Sequence, residues 1–286
     1  MFKFGVDTFI WSESFSEKDL WVISKAKELG FDVLDIFISN AYAFPVKKVK
    51  EKVIEVGIEV VTTATLNKDT NLISPDPDIR ANGVQYMKKV VDINVELGSK
   101  INGGVNYAAW GYLSGKPRTQ QEWDWSINGM KEIAKYAQDK GDVVICVEPV
   151  NRFETHFLNI AEDAVRYCQE VGFNNVKVHL DSFHMIQEET NFREAVEICG
   201  KKYLGYVHVC ESNRGIPGTG LVPWKEFFQA LKDINYTGAL VIESFDPSFE
   251  ELNRQCAIWR KLAKSGEDLA IQGLRNLKRI AQEIKD

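Results

Sequence analysis

Four side chains of types that commonly bind metals follow short apolar runs of the sequence. They are Glu148, Asp181, His208 and Glu243, and they are separated by 33, 27 and 35 residues. One strand–helix unit of a parallel α/β fold takes roughly 30 residues, so the spacing predicts that each side chain ends one of a series of parallel strands. Because the carboxyl ends of such strands converge, we expect the four groups to meet at an active site.

The residue types of this quartet predict a divalent cation. Three carboxylates that converge repel one another and are costly to bury unless a cation lies between them. Carboxylate oxygens with one imidazole suit Mn²⁺, Co²⁺ or Mg²⁺ and leave positions open for substrate oxygens. We therefore expect one divalent metal ion per subunit, with Mn²⁺ as the first choice and Co²⁺ or Mg²⁺ as alternatives.

The elements that must position these groups alternate between strand-like and helix-like patterns. Eight such pairs in 286 residues predict an α/β fold, a single-domain (β/α)8 TIM barrel over residues 1–286, in preference to an open sheet. A last amphipathic helix over 266–285 is expected to cover the barrel. The eight strands are predicted at 3–9, 31–38, 59–65, 100–106, 142–148, 176–181, 204–210 and 239–244.

The segments between the predicted elements contain helix-ending glycines and two long loops. Glycines 30, 57, 98, 141 and 172 each follow a periodic stretch, where a left-handed helix cap is expected. Two long loops, 66–77 and 107–119, follow predicted strands. Since function in this fold resides in the loops after the strands, we expect both to form a wall of a pocket.

Composition excludes several classes of protein. The net charge of −6 provides no general surplus of cations for a nucleic acid backbone, so no nucleic acid partner is expected. We expect no membrane span, because no run approaches about 20 apolar residues. The first residues lack the pattern of a secretory signal, so the chain is expected to be cytoplasmic. The five cysteines are odd in number and lack CxxC spacing, which favours free buried thiols.

Five segments of the chain resemble the ketose 3-epimerases, the family of D-tagatose 3-epimerase and D-allulose (D-psicose) 3-epimerase. The resemblance runs over most of the chain and is strongest from residue 142 to 245. The segments are SPDPDIR (74–80), VEPVNRFE (147–154), VKVHLDSFHM (176–185), HVCESNRGIPGTGLVPW (208–224) and VIES (241–244).

By this resemblance, the quartet of Glu148, Asp181, His208 and Glu243 holds the metal. The resemblance also implies substrate contacts, of which Glu154, His184 and Arg214 would hold the reacting end of the sugar, and Trp11 and Trp110 would belong to the pocket wall. The two remaining histidines, His156 and His179, are assigned to structure.

The chemistry of the implied reaction is consistent with these residue types. Inverting a carbon beside a ketone requires a base on one face and an acid on the other. Glu148 and Glu243 come from the fifth and eighth predicted strands and could bracket a sugar, exchanging the two roles with the direction of reaction. The metal would stabilise a cis-enediolate as a Lewis acid.

The chain departs from the family pattern in the outer pocket. Asp7 stands at a position where an aromatic residue is typical, TTATLN (62–67) replaces a glycine-containing loop, and Tyr206 replaces a second histidine. We therefore predict a more polar outer pocket, with Asp7 in contact with the substrate. The preferred ketose stays open among D-allulose and D-fructose, D-tagatose and D-sorbose, L-ribulose and L-xylulose, and non-hexose relatives.

Three other readings stay open at this point. A related sugar isomerase, an inosose isomerase or an inosose dehydratase would share the metal chemistry but move a proton on a different carbon. An apurinic endonuclease would use the same barrel but needs more histidines than the four present. A non-catalytic sugar-binding barrel would show no change of activity on Glu148→Gln. By analogy with the family, the partners are a small-molecule ketose and a second or further copy of the chain, as a homodimer or homotetramer.

Overall fold

The strands of the chain close into a parallel barrel. The computed structural model describes residues 2–246 and 248–284, and within them the strand order is β1 to β8, with β8 pairing back to β1. The predicted TIM barrel is confirmed. The strands are β1 (Lys3–Asp7), β2 (Val33–Phe37), β3 (Glu59–Thr63), β4 (Ile101–Gly103), β5 (Val144–Val147), β6 (Val176–Asp181), β7 (Leu204–His208) and β8 (Ala239–Ile242).

Each strand lies within a predicted run but most end earlier at the carboxyl side. The strand β6 matches its prediction at both ends, whereas β4 keeps only three of the seven residues predicted. Apolar residues continue past the paired segments into the loops, so hydropathy alone places the strand ends too late. The strands are buried on both faces, as expected when helices surround a parallel sheet.

Helices pack around the barrel and connect its strands. The described helices are α1 (Trp21–Glu28), α2 (Val46–Val56), α3 (Pro77–Leu97), α4 (Gln120–Gly141), α5 (Ala161–Val171), α6 (Ser182–Glu188), α7 (Phe192–Tyr203), α8 (Trp224–Asp233), α9 (Glu250–Gln255) and α10 (Gly266–Glu283). Helix α10 is the predicted closing helix, and position 285 of that prediction lies outside the described residues.

One predicted helix cap is wrong by a residue. Gly57, Gly98 and Gly172 are left-handed caps as expected, but Gly141 is the last residue of α4 and Asp142 takes the left-handed conformation with φ of 56°. Aspartate tolerates this conformation better than most residues because its short side chain can hydrogen-bond locally.

The barrel brings the predicted quartet to one end. Asp181 and His208 are the last residues of β6 and β7 and are register partners, while Glu148 and Glu243 directly follow β5 and β8. In the described part of the chain, no helix is both long enough and apolar enough to span a bilayer. All five cysteines are free thiols, and four of them are buried.

Candidate active site

The site is a cluster of buried acids and histidines at the carboxyl end of the barrel. Glu148, Asp181 and His208 are buried, and the Glu243 side chain is only 13% exposed. His208 Nδ1 lies 3.5 Å from Glu243 Oε2. His184 Nε2 lies 3.8 Å from both Glu148 Oε1 and Asp181 Oδ2. The structure therefore brings the four predicted metal ligands into one region.

Arg214 reaches into the middle of this cluster. Its Nη1 donates to Asp181 Oδ2 over 2.8 Å and to Glu243 Oε2 over 2.5 Å, and it lies 3.0 Å from the sulfur of Cys210. The backbone of Arg214 has φ of 60°, a conformation that is uncommon for a non-glycine residue. Its carbonyl accepts a hydrogen bond from the Ser244 hydroxyl over 2.5 Å, which helps to hold this turn.

Several overlapping sets of ligand atoms could hold a metal ion. In each set the atoms lie within 4.8 Å of one another, and the predicted quartet is distributed among the sets rather than found in one. The sets are Asp181, His208, Cys210 and Glu243; Glu148, His179 and His208; and Glu148, Asp181 and His184.

The donor atoms of these sets fit a divalent cation. His208 Nδ1 is buried, has no hydrogen-bond partner among the described residues and lies 3.5 Å from Glu243 Oε2, so this nitrogen is the one directed toward the carboxylates. Its other ring nitrogen, Nε2, lies 3.1 Å from Asp35 Oδ2. A metal-binding histidine is commonly held by a carboxylate in this way. The carboxylate oxygens and imidazole nitrogens of these sets suit a hard or borderline ion.

Three residues of the cluster were not predicted. His179, for which the sequence predicts a structural role, is within reach of Glu148, with 3.6 Å between Nδ1 and Oε2. It precedes Asp181 by two residues, and side chains two apart on a strand lie on the same face of the sheet. The spacing alone therefore predicts that His179 faces the same side as Asp181. Asp35 is the one charged residue in the otherwise apolar strand β2, a pattern that indicates a functional residue. Cys210 lies beyond the end of β7, where the backbone direction was not predictable.

A cavity of about 910 Å³ opens from the cluster to the surface. It is lined by the predicted residues Glu148, His184, His208, Arg214 and Glu243, together with Glu154 and Trp110. The other lining residues come mainly from the loops after β1, β2, β3, β4 and β8. Both predicted wall loops contribute, through Leu66 and Asn67 in one and Trp110 and Gly111 in the other.

Glu154, His184 and Trp110 form a connected side of this cavity. Trp110 Nε1 donates to Glu154 Oε2 over 2.6 Å, and the Asn151 amide donates to Glu154 Oε1 over 2.8 Å. The Asn151 backbone N–H also donates to His184 Nδ1 over 3.1 Å. The side chains are thereby fixed before any ligand binds, which lowers the entropy cost of binding.

Asp7 and Trp11 are not among the residues that line the cavity, and their contacts with a substrate stay predictions. Asp7 is fully buried, and its Oδ1 accepts the backbone N–H of Phe9 over 2.5 Å to begin a short 3₁₀ turn. Burial, followed by the charge of Asp35, raises its pKa well above the usual value. Trp11 packs partly buried against the main core. The first turn after β1 folds back, and Phe9 faces the cavity instead.

Burial and neighbouring charges separate the pKa values of the two glutamates. Burial, assisted by the charge of Glu243, raises the pKa of Glu148 well above its usual range. Burial alone would raise the pKa of Glu243 too, but Arg214 and His208 outweigh it and hold that pKa well below the usual range. Burial also lowers the pKa of His184 to about 4, so this imidazole is neutral at pH 7.

Comparison with known proteins identifies the family. Residues 23–280 match the model of the xylose isomerase-like TIM barrel family, and the chain belongs to this family. Within it, the chain is one of the ketose 3-epimerases, enzymes of the isomerase class.

The relatives match over nearly their whole length. The chain is 33% identical over 272 residues to the D-psicose 3-epimerase of Agrobacterium fabrum, covering 94% of this chain and 93% of the relative. It is 33% identical over 279 residues to the L-ribulose 3-epimerase of a Methylomonas species, with 96% of each chain covered. A crystal structure of D-allulose 3-epimerase from Methylomonas in complex with D-allulose superposes with a TM-score of 0.92 at 32% identity, covering 97% of this chain and 96% of that one.

Proposed function

We propose that this protein interconverts two free ketoses that differ in configuration at carbon 3, with Glu148 and Glu243 as the acid and base. One observation carries the proposal. Both glutamates border the same cavity, and their environments shift their pKa values in opposite directions. A pair of carboxyl groups with separated pKa values is typical of acid–base catalysis.

The chain's own residues account for the proton movement. One glutamate removes the proton from carbon 3 while the other returns a proton to the opposite face, and the two exchange roles in the reverse direction. Arg214 and the neutral His184 lie beside the two glutamates, where they can bind the carbonyl and the neighbouring hydroxyl. Glu154, held by Trp110, can accept a hydrogen bond from a further hydroxyl of the sugar.

We assign one divalent ion to Glu148, Asp181, His208 and Glu243. When bound, such an ion supplies Lewis-acid polarisation of the substrate oxygens. Mn²⁺ is our first choice and Co²⁺ or Mg²⁺ are alternatives, because the donors are mainly carboxylate oxygens. The proximity of Cys210 adds a softer donor to the set.

The lining of the cavity favours an uncharged sugar. Of the described lining residues, Arg214 is the only lysine or arginine, and it is already paired with two carboxylates. A phosphorylated or carboxylated sugar would need additional cations or free backbone N–H groups. Besides Glu148, whose raised pKa favours the neutral acid, four glutamates line the cavity and repel anions: Glu13, Glu154, Glu243 and Glu251. D-Allulose with D-fructose, D-tagatose with D-sorbose, and L-ribulose with L-xylulose are therefore the substrate pairs we propose to test.

Deuterium incorporation tests the reaction type. The protein is stripped with EDTA, reloaded with Mn²⁺ or Co²⁺, and incubated in deuterated water with each ketose. We expect deuterium at carbon 3 and formation of the 3-epimer, measured by NMR. Deuterium at carbon 1 would instead indicate an aldose–ketose isomerase of the same family. Turnover by the stripped protein at the rate of the reloaded protein would contradict the assigned ion.

Comparing a free ketose with its phosphate ester tests whether the substrate is an uncharged sugar. We expect turnover of the free sugar and little or none of its phosphate ester at the same concentration. Faster turnover of the ester would contradict the proposal for an uncharged substrate.

We further propose that residues 1–286 act as one domain, and that the chain assembles as a homodimer or homotetramer. Large apolar side chains are exposed on loops that follow strands, at the same end of the barrel as the site. They are Phe153, Leu221 and Trp259, which are 72%, 79% and 75% exposed. Exposed apolar side chains at one end of a molecule favour association there.

A further inference from the structure

A buried carboxylate holds His208 from the side that faces away from the cluster. His208 Nε2 and Asp35 Oδ2 are 3.1 Å apart, and both residues are almost inaccessible, at 1% and 0% exposed. A neutral imidazole carries its hydrogen on one nitrogen only. A carboxylate that accepts a hydrogen bond from Nε2 keeps a hydrogen on that nitrogen, so Nδ1 is the ring nitrogen that remains for a cation.

The free nitrogen is the one that faces the cluster. His208 Nδ1 lies 3.5 Å from Glu243 Oε2, is buried, and has no hydrogen-bond partner among the described residues. An unpaired buried nitrogen is costly unless something binds it. His208 belongs to two of the three sets of ligand atoms, so a metal ion is the partner that we infer for its Nδ1.

Asp35 is itself fixed by two hydroxyl groups. The Tyr206 hydroxyl donates to Asp35 Oδ2 over 2.6 Å, and the Thr63 hydroxyl donates to Oδ1 over 3.2 Å. Tyr206 and Thr63 come from β7 and β3, so donors from two other strands hold a side chain of β2. The carboxylate therefore has little freedom to turn away from His208.

We propose that Asp35 is a positioning residue, which sets the tautomer and orientation of His208 so that Nδ1 can bind the divalent ion. The inference rests on the metal site assigned under the proposed function. It also gives a role to Tyr206, one of the departures from the family pattern, as a residue that holds Asp35.

Metal affinity of the full-length, EDTA-stripped protein tests this role without reference to turnover. Isothermal titration with Mn²⁺ is expected to show binding about 10- to 100-fold weaker in Asp35→Asn than in the unsubstituted protein, the usual effect of losing such a partner. Asp7→Asn is the matched control. Asp7 is an equally buried aspartate and the register partner of Asp35, but its carboxylate accepts the backbone N–H of Phe9. We expect it to leave Mn²⁺ affinity close to that of the unsubstituted protein.

A spectroscopic readout separates positioning from a general structural effect. Co²⁺ is loaded into each variant and its visible absorption is recorded, because this absorption depends on the ligands and their geometry. We expect a changed spectrum in Asp35→Asn and an unchanged one in Asp7→Asn. If Asp35→Asn only lowers the unfolding temperature, with Mn²⁺ affinity and Co²⁺ spectrum equal to those of the control, the proposal is wrong.

A measurement on the unsubstituted protein covers the case in which Asp35→Asn does not fold. Long-range ¹H–¹⁵N NMR of the Mg²⁺-loaded protein reports which ring nitrogen of His208 carries hydrogen. We expect hydrogen on Nε2, and hydrogen on Nδ1 alone would overturn the proposal. Failure of the proposed function would look different: Asp35→Asn would still weaken Mn²⁺ binding, but no ketose would exchange its carbon 3 proton.

Discussion

At the scale of single residues, the two glutamates carry the chemistry that we propose. Replacement of Glu148 or Glu243 by glutamine removes an acid or base while keeping the size of the side chain. We expect kcat/KM to fall by about 10²- to 10⁴-fold in each variant, the usual contribution of a general acid or base. Steady-state kinetics with the preferred ketose measures the loss.

Glu96→Gln is the control for this pair of variants. Glu96 is exposed on α3 and forms a surface ion pair with Lys50 at 3.0 Å, so we expect its loss to leave kcat/KM unchanged. If Glu148→Gln and Glu243→Gln kept the activity of this control, the acid–base assignment would be wrong.

Trp110 is expected to act on binding rather than on chemistry. In Trp110→Phe, Glu154 loses the indole donor that lies 2.6 Å away. A hydrogen bond to a charged group contributes about 1.5–3 kcal/mol, so we expect KM to rise roughly tenfold or more while kcat changes little.

Trp123→Phe provides a closely matched control for Trp110→Phe. Trp123 Nε1 also donates to a glutamate over 2.6 Å, but that partner is Glu170 on the helical side of the barrel. We expect Trp123→Phe to lower the unfolding temperature without raising KM. An equal KM in the two variants would contradict a role of the Trp110–Glu154 hydrogen bond in substrate binding.

At the scale of elements, the loop after β7 depends on one buried carboxylate. Glu211 accepts the backbone N–H groups of Ser212, Gly218, Thr219 and Val222, and the indole N–H of Trp224. This loop carries Arg214 into the site. Replacement by alanine would leave buried donors without a partner, and we expect the free energy of unfolding to fall by about 1–3 kcal/mol.

The same carboxylate gives a pH dependence with a definite sign. Burial alone would raise the pKa of Glu211, but its hydrogen bonds outweigh burial and lower the pKa below the usual 4.5. The unfolded chain therefore binds the proton more readily than the folded one, and the stabilisation is complete above pH 4.5 and lost as the pH falls below it. Chemical denaturation of the unsubstituted protein and Glu211→Ala should show a difference at pH 7 that shrinks towards pH 3. A difference independent of pH would contradict this role.

The sequence was sufficient for the barrel because hydropathy alternates on the scale of whole elements. It also indicated the quartet, since Asp181 and His208 end their strands and the two glutamates follow theirs. It did not predict that Asp7 is buried at the start of a turn, because the direction of a side chain at the end of a strand depends on the turn that follows. The 3₁₀ turn begun by Asp7 is set by a single hydrogen bond to Phe9 that hydropathy does not encode.

Long-range hydrogen bonds were a second limit of sequence reasoning. Asp35 and His208 are 173 residues apart in the chain, and a single sequence contains no signal that joins them. The loop after β8, whose α9 contributes Glu251 and Leu252 to the cavity, could have been found. It is longer than the loops 66–77 and 107–119, which the composition indicates as walls of a pocket.

At the scale of the whole molecule, association is expected to use the end of the barrel that carries the site. Light scattering after size-exclusion chromatography should give a multiple of the 32.5 kDa chain mass. We expect Leu221→Asp with Trp259→Asp to shift the protein towards 32.5 kDa. Ile54→Asp is the control, because Ile54 is also exposed, at 72%, but lies on α2 away from this end. A monomeric unsubstituted protein, or equal dissociation in the control, would contradict the prediction.

The loops that follow β3, β4 and β5 are joined by main-chain hydrogen bonds. Leu66 and Ala109 form a parallel bridge, the Trp110 N–H donates to the Leu66 carbonyl over 2.9 Å, and the Gly111 N–H donates to the Glu154 carbonyl over 2.9 Å. The backbone conformation of each loop is therefore held in part by the loop or loops beside it. A chimera that exchanges one of these segments alone would disturb the main-chain hydrogen bonds that this segment shares with its neighbours. A change of sugar preference by recombination therefore has to transplant all three loops together.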